Sequence, residues 1–173
     1  MKTIKNILLI LLVSLSAALN AQEITNTFPG TWHYDNGNQR FIVKIWQEGN
    51  YLRGHYKMVS MANNSFVSVI YDSKKAHQNE DGLFFPPTIF GELDMEINLY
   101  GGVCDNTIIG NPHDCKRGQL RMKMEYFSGC TTCPVTATWE VTEYQGMRVG
   151  ELIPFNIPTN ITLTKVSDTV NLD

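Results

Sequence analysis

The sequence predicts an all-β protein, antiparallel throughout, whose strands close into a barrel or pack as a β-sandwich. Three observations carry this. Apolar residues recur with a period of two rather than 3.6. The runs are rich in β-branched and aromatic side chains, as half-buried sheets prefer. Asn-Gly and Pro-Pro signals separate them, and no window long enough for a helix has an amphipathic helical pattern.

The chain opens on a different signal. Met1 to Asn6 carries Lys2 and Lys5 and no acid, Ile7 to Leu12 is unbroken aliphatic, and Asn20-Ala21-Gln22 supplies a small residue for cleavage. A basic end, a short apolar stretch and a small residue make a secretion signal, expected over 1–21. A membrane anchor needs about 20 strongly apolar residues, and this run is interrupted by Ser14 and Ser16. The expectation is a secreted or periplasmic protein with no membrane insertion after cleavage, and one domain over 22–173 with strands from about 30 to 166. The chain has 14 basic and 17 acidic side chains; taking away Lys2 and Lys5 leaves 12 against 17, a net of −5. That sign argues against nucleic acid and anionic membrane as partners.

Each strand has its own pattern. Thr31–Tyr34 is followed by the turn Asp35-Asn36-Gly37-Asn38. Arg40–Gln47 alternates Phe41, Val43 and Ile45, and Glu48-Gly49-Asn50 turns into Tyr51–Val59 with Leu52, Gly54, Tyr56 and Met58 on one face. Asn and Gly accept the positive φ of tight hairpins, so these three strands read as a meander. Phe66 to Tyr71 is more continuously apolar, and Lys74 to Gly82 reads as a polar loop. Leu83 to Phe90, broken by Pro86-Pro87, reads as a cap on a barrel mouth or a partner-binding loop. Leu93, Met95, Ile97 and Leu99 alternate with Asp94, Glu96 and Asn98 as one strand. Leu120, Met122, Met124 and Tyr126 alternate with Arg121, Lys123 and Glu125, which makes Asp94 and Glu96 candidate cross-strand partners of Arg121 and Lys123. Val135, Ala137, Trp139 and Val141 form a later strand, and Ile161 with Leu163 the last. A sheet with one apolar face must bury it against another sheet or close on itself; about eight or nine such strands suit either.

Gly30-Thr31-Trp32, then the turn, Phe41-Ile42-Val43 and Gly54-His55-Tyr56, resembles the opening of the avidin and lipocalin barrels, the calycin-like group. Ala137-Thr138-Trp139 and Ile161 to Val166 resemble the last avidin strands in order and character. The resemblance implies an up-and-down barrel of about eight strands, of the kind found in an uncharacterised secreted bacterial domain family with a Gly-Thr-Trp start. By position, Tyr56 matches a tyrosine that helps hold the biotin ureido group, and Trp139 a pocket tryptophan. The first turn carries an extra residue, and the acid that avidins place near the last strand is absent. A ureido oxygen left unpaired would cost roughly 1–3 kcal/mol, so biotin is not carried over.

Four cysteines in an exported chain read as two disulfides. With Leu93–Leu99 paired to Gln119–Phe127, Cys104 and Cys115 fall at one end and Cys130 and Cys133 at the other. Bridged α-carbons lie within about 7 Å, which favours Cys104–Cys115 and Cys130–Cys133. The first would staple a connection running from Gly101 to Gly118. The Cys130-x-x-Cys133 spacing also suits a thiol–disulfide oxidoreductase, but those place the pair at a helix N-terminus, and Pro134 between strands offers none. Zinc would need a second pair at short spacing.

No catalytic set assembles. His33 and His55 fall on strands separated by another and are expected to face solvent; His77 lies in the polar loop; His113-Asp114-Cys115 would need a reduced Cys115. Glu92, Asp94 and Glu96 read as a solvated charged face, and Asp105, Asn106, Asn111 and Asp114 as a plain surface turn rather than a calcium loop. No cofactor motif is present. The candidate ligand-binding residues are Trp32, Tyr34, Tyr56 and Trp139, with Met122 and Met124, lining a barrel that holds a small apolar or amphipathic molecule, or else simply filling it. The functional expectation is therefore an exported small-molecule or peptide binding module. Its alternative is a protein-interaction or structural module with a filled barrel and functional rim loops; an enzyme ranks third. Trp32 is expected at the closed end against the strands of Trp139 and Leu163, and Tyr56→Phe to leave stability nearly intact.

Overall fold

The computed structural model describes residues 27–74, 87–94, 97–108, 115–125, 133–144 and 153–171. The expected signal at 1–21, His77 and most of its polar loop, Leu83 to Pro86, Glu96, Asn111, His113, Asp114, Tyr126 and Cys130 lie outside them. The elements are β1 (Gly30–Asn36), β2 (Gln39–Glu48), β3 (Tyr51–Ala62), β4 (Ser65–Asp72), β5 (Ile89–Asp94), β6 (Asn98–Asp105), β7 (Lys116–Glu125), β8 (Thr136–Glu143) and β9 (Asn160–Ser167). All are antiparallel, and no helix occurs among the described residues. The order β2-β1-β9-β8-β7-β6-β5-β3, with β2 paired back to β3, closes eight strands into a barrel; β4 is extra. The barrel reading holds, and the sandwich alternative falls because no sheet edge separates two layers.

The meander stands where the pattern placed it. Phe41, Val43 and Ile45 of β2 and Leu52 and Tyr56 of β3 are buried in alternation with half-buried neighbours. Gly37 and Gly49 turn the hairpins at positive φ. Gly30 has a harder constraint: its φ is +139°, and a Cβ there would run into the Ser167 carbonyl and the Lys165 side chain. The glycine of Gly-Thr-Trp thus lets β1 close against β9, where Thr31 pairs with Ser167 and Trp32 with Lys165.

Three expectations need correction. The run from Leu93 to Leu99 is a hairpin: β5 ends at Asp94, β6 begins at Asn98, and Leu93 pairs with Leu99. Period-two alternation reads identically on both sides of a tight turn, and no Gly or Pro marks this one. Consequently Arg121 faces Tyr100 and Lys123 faces Asn98, rather than Asp94 and Glu96; the acid opposite Arg121 is Glu140 of β8. The supposed connection from Gly101 to Gly118 is mostly strand, since β6 runs to Asp105 and β7 starts at Lys116. Finally, Ile89 and Phe90 are not cap residues but the start of β5.

The β4 and β5 strands run along the same edge of β3. Lys57 pairs with Asp72, the Ser73 amide donates to the Tyr56 carbonyl at 2.9 Å, and the Thr88 amide donates to the Gly54 carbonyl at 3.0 Å. One barrel position is therefore filled by two pieces of chain, with 74–87 inserted between them. Beyond that point β4 extends past the wall, and Phe66, Val67, Val69 and Ile70 are all exposed.

Candidate functional site: barrel interior and outer face

Alternation on eight strands sends one apolar set inward. Trp32, Phe41, Tyr56 and Trp139 are among its largest members, each essentially without solvent exposure. The Phe41 ring lies 5.8 Å from both the Tyr56 and Trp139 rings, centroid to centroid. Tyr34 is only partly buried and packs against this core. The polar ends of the three large aromatics are engaged by the protein itself. Trp32 Nε1 donates to the Phe28 carbonyl at 2.9 Å, and Trp139 Nε1 to the Pro158 carbonyl at 2.8 Å. Tyr56 OH donates to the Cys104 carbonyl at 2.9 Å.

Described residues pack against both ends of this core. At one, Phe28 packs on Trp32 at 6.3 Å. Lys165 is buried there, its Nζ donating to the Thr27 carbonyl at 2.8 Å, paired with Asp168 Oδ1 at 2.5 Å and lying 5.8 Å from the Trp32 ring centre. Trp32 does meet β9, as expected, but Trp139 serves the other end. Residues 153–159, with Ile157 buried, pack against that end. They are pinned by Asp105, whose Oδ2 accepts from the Asn156 amide at 2.7 Å and the Ile157 amide at 3.3 Å, and whose Oδ1 accepts from Thr107 Oγ1 at 2.7 Å. Lys116 adds contacts to Glu143, to the Ile153 carbonyl and to the Phe155 ring.

Asp105 and Asn106 are thus buried and fully used, which overturns their reading as a surface turn. Burial, and after it the Asp105 charge, pushes the Tyr56 and Tyr71 hydroxyls well above their ordinary range. His33 and His55 are half-buried rather than solvent-facing. Burial first, then the Arg40 guanidinium, holds His33 down at about 4 against the opposing pull of Asp35. His55 is lowered by burial; its Nδ1 lies 3.3 Å from Ser73 Oγ and its ring 5.7 Å from that of Trp46. Cys104 and Cys115 are bridged with α-carbons 5.4 Å apart, as expected. Cys133 is also in a disulfide. Such bridges suit an oxidising compartment. Among the described residues no His, Cys, Asp and Glu group is placed to hold a metal, and no helix is long and apolar enough to cross a membrane.

The outer face of β3-β5-β6-β7-β8 holds a second set of aromatics. Tyr51, Phe90, Tyr100 and Tyr144 are 49%, 40%, 42% and 43% exposed, too much for core residues. Pairing aligns Glu92, Tyr100, Arg121 and Glu140 in one row, and sets Arg53 beside Phe90. Gly102 lies under the Phe90 ring, which a Cβ would strike, and Gly101 approaches β5 so closely that a Cβ would collide with the Phe90 carbonyl. Two open grooves result. One of about 570 Å³ runs past Tyr51, Arg53, Phe90 and Glu92 to Tyr100. The other, of about 420 Å³, continues from Tyr100 past Gln119 and Arg121 to Glu140 and Tyr144. Arg53 lies over the Tyr51 ring, 5.6 Å from its centre, and Arg121 over that of Tyr100 at 5.4 Å, so one face of each ring carries a guanidinium.

Sequence reasoning found the interior aromatics and missed this outer set, whose members come from separate strands and meet only through register. It also missed Lys165 and Asp105, whose charge reads as solvated until burial is known. No family model, curated protein or solved structure matches the chain.

Proposed function

We propose that the protein is an exported, non-catalytic binding module of calycin-like architecture that carries its ligand on the outside of a filled barrel. The observation behind this is the engagement of Trp32, Tyr56 and Trp139. Their rings pack within the core and their N–H and O–H groups are bonded to the protein's own carbonyls. A lumenal ligand would have to break these bonds, at roughly 1–3 kcal/mol for each buried group left unpaired. The outer grooves instead offer partly exposed rings and solvent-facing space of ligand size. Export is supported by the N-terminal signal pattern and by the disulfides.

Native mass spectrometry of protein secreted by its own cells tests the filled barrel. The expected mass is that of the processed chain with two disulfides and nothing more. A retained small molecule, released only on unfolding, would move the site back inside.

A further inference from the structure

We infer that the outer groove running from Tyr51 to Tyr144 is a glycan-binding cleft that takes a linear, uncharged polysaccharide across β3-β5-β6-β7-β8. This rests on the reading of the outer face as the binding surface and adds the chemistry of what it holds.

The groove is built from alternating rings and planar hydrogen-bonding groups. Crossing five adjacent strands at about 4.8 Å each gives a path of roughly 19 Å, long enough for several sugar rings in a row. Tyr100 belongs to both halves of it. Exposed aromatic faces carry partial negative charge and attract the partly positive C–H groups on the face of a pyranose. Sugar hydroxyls need donors and acceptors at the rim, and Arg53, Arg121, Glu92 and Glu140 supply both. The two guanidinia are pre-positioned against tyrosine rings, so less freedom is lost when they bind.

Charge selects against the other polymers. Among the described residues lining the grooves, Glu92, Asp94 and Glu140 outnumber the two cations, Arg53 and Arg121, and Glu48 already pairs with Arg53 at 3.4 Å. The local balance is acidic, as is that of the mature chain, so a polyanion is repelled. A fatty ligand would find carboxylates along the walls. A neutral polymer of amphipathic rings meets neither penalty.

The test is affinity gel electrophoresis of the processed protein through gels containing xylan, mixed-linkage β-glucan, galactomannan or starch, with alginate as the anionic control. At least one neutral polysaccharide should retard the wild type, with little change in 0.5 M salt, a concentration at which the screening length is only about 4 Å. Tyr100→Ala should weaken that retardation about tenfold, the size of one lost stacking contact, and Tyr100→Phe should restore most of it. Thermal unfolding of both variants should match wild type, since the Tyr100 side chain is exposed. Failure of every neutral gel to retard the wild type, retardation by alginate alone, or retardation indifferent to Tyr100→Ala would each overturn the glycan assignment. If the processed protein is also free of a retained small molecule, the outer-face reading survives that failure; if it carries one, both fall.

Discussion

Trp32 works at two levels at once. Its indole fills one end of the barrel, and its N–H ties the preceding segment at Phe28 across that opening. Trp32→Ala should therefore cost about 3–5 kcal/mol in chemical denaturation, as aromatic truncations in cores do. A variant as stable as wild type would place the ring outside the core. Tyr56 changes its expected behaviour once its hydroxyl is located. That hydroxyl serves the Cys104 carbonyl and lies 3.3 Å from Asp105 Oδ1, both in a dry setting. Tyr56→Phe should cost about 1–3 kcal/mol rather than leave stability intact. His33 gives a pH signature. Its pKa in the fold is about 4, below the ordinary 6.5. Between those values the unfolded chain binds a proton that the folded chain refuses, so stability falls as pH drops through that window and is unaffected above it. His33→Gln should shrink the loss measured by urea unfolding at pH 7.5 and 4.5; an unchanged loss would mean the imidazole titrates normally.

The strands differ in how openly the sequence declared them. The β1 to β3 meander was legible because Asn and Gly turns and clean alternation agree at its boundaries, and β7 to β9 because of the alternation of their apolar residues. The β5–β6 hairpin was hidden because Leu93, Met95, Ile97 and Leu99 satisfy the same period whether the chain continues or folds back. The Cys104–Cys115 bridge survived that error because it depends on where β6 and β7 meet, and Cys104 sits opposite Arg117 in their ladder. Residues 153–159 carry no regular pattern at all; Lys116, Trp139 and, at its centre, the Asp105 carboxylate hold them. Asp105→Ala would remove the acceptor for two backbone amides and a threonine hydroxyl. Hydrogen bonds to a charged group are worth about 1.5–3 kcal/mol each, so a loss of at least about 2 kcal/mol is expected. Hydrogen exchange should show the Asn156 and Ile157 amides losing protection before the strands do. Uniform loss across the barrel would show instead that the segment is not held separately.

Closure is what the whole molecule uses to manage its sheet. Eight strands pair all round, so the wall has no open edge, and β4 alone ends the strand order beyond it. The same chemical change should then have opposite consequences at two places that look alike in sequence. Leu163 is an apolar residue in a β-rich run, buried on β9 between β8 and β1. Val69 is an apolar residue in a β-rich run, opposite Val59 on β4, and half its surface meets water. Leu163→Lys buries a charge in the wall and should abolish folding. Val69→Lys places its ammonium in solvent and should change stability by no more than about 0.5 kcal/mol. It should also lower association at high concentration, because lysine on an exposed edge strand discourages edge-to-edge pairing. Urea denaturation with sedimentation at increasing concentration reads both effects. A Val69→Lys protein as damaged as Leu163→Lys would mean that β4 is part of the wall, and the barrel would then have nine strands rather than eight.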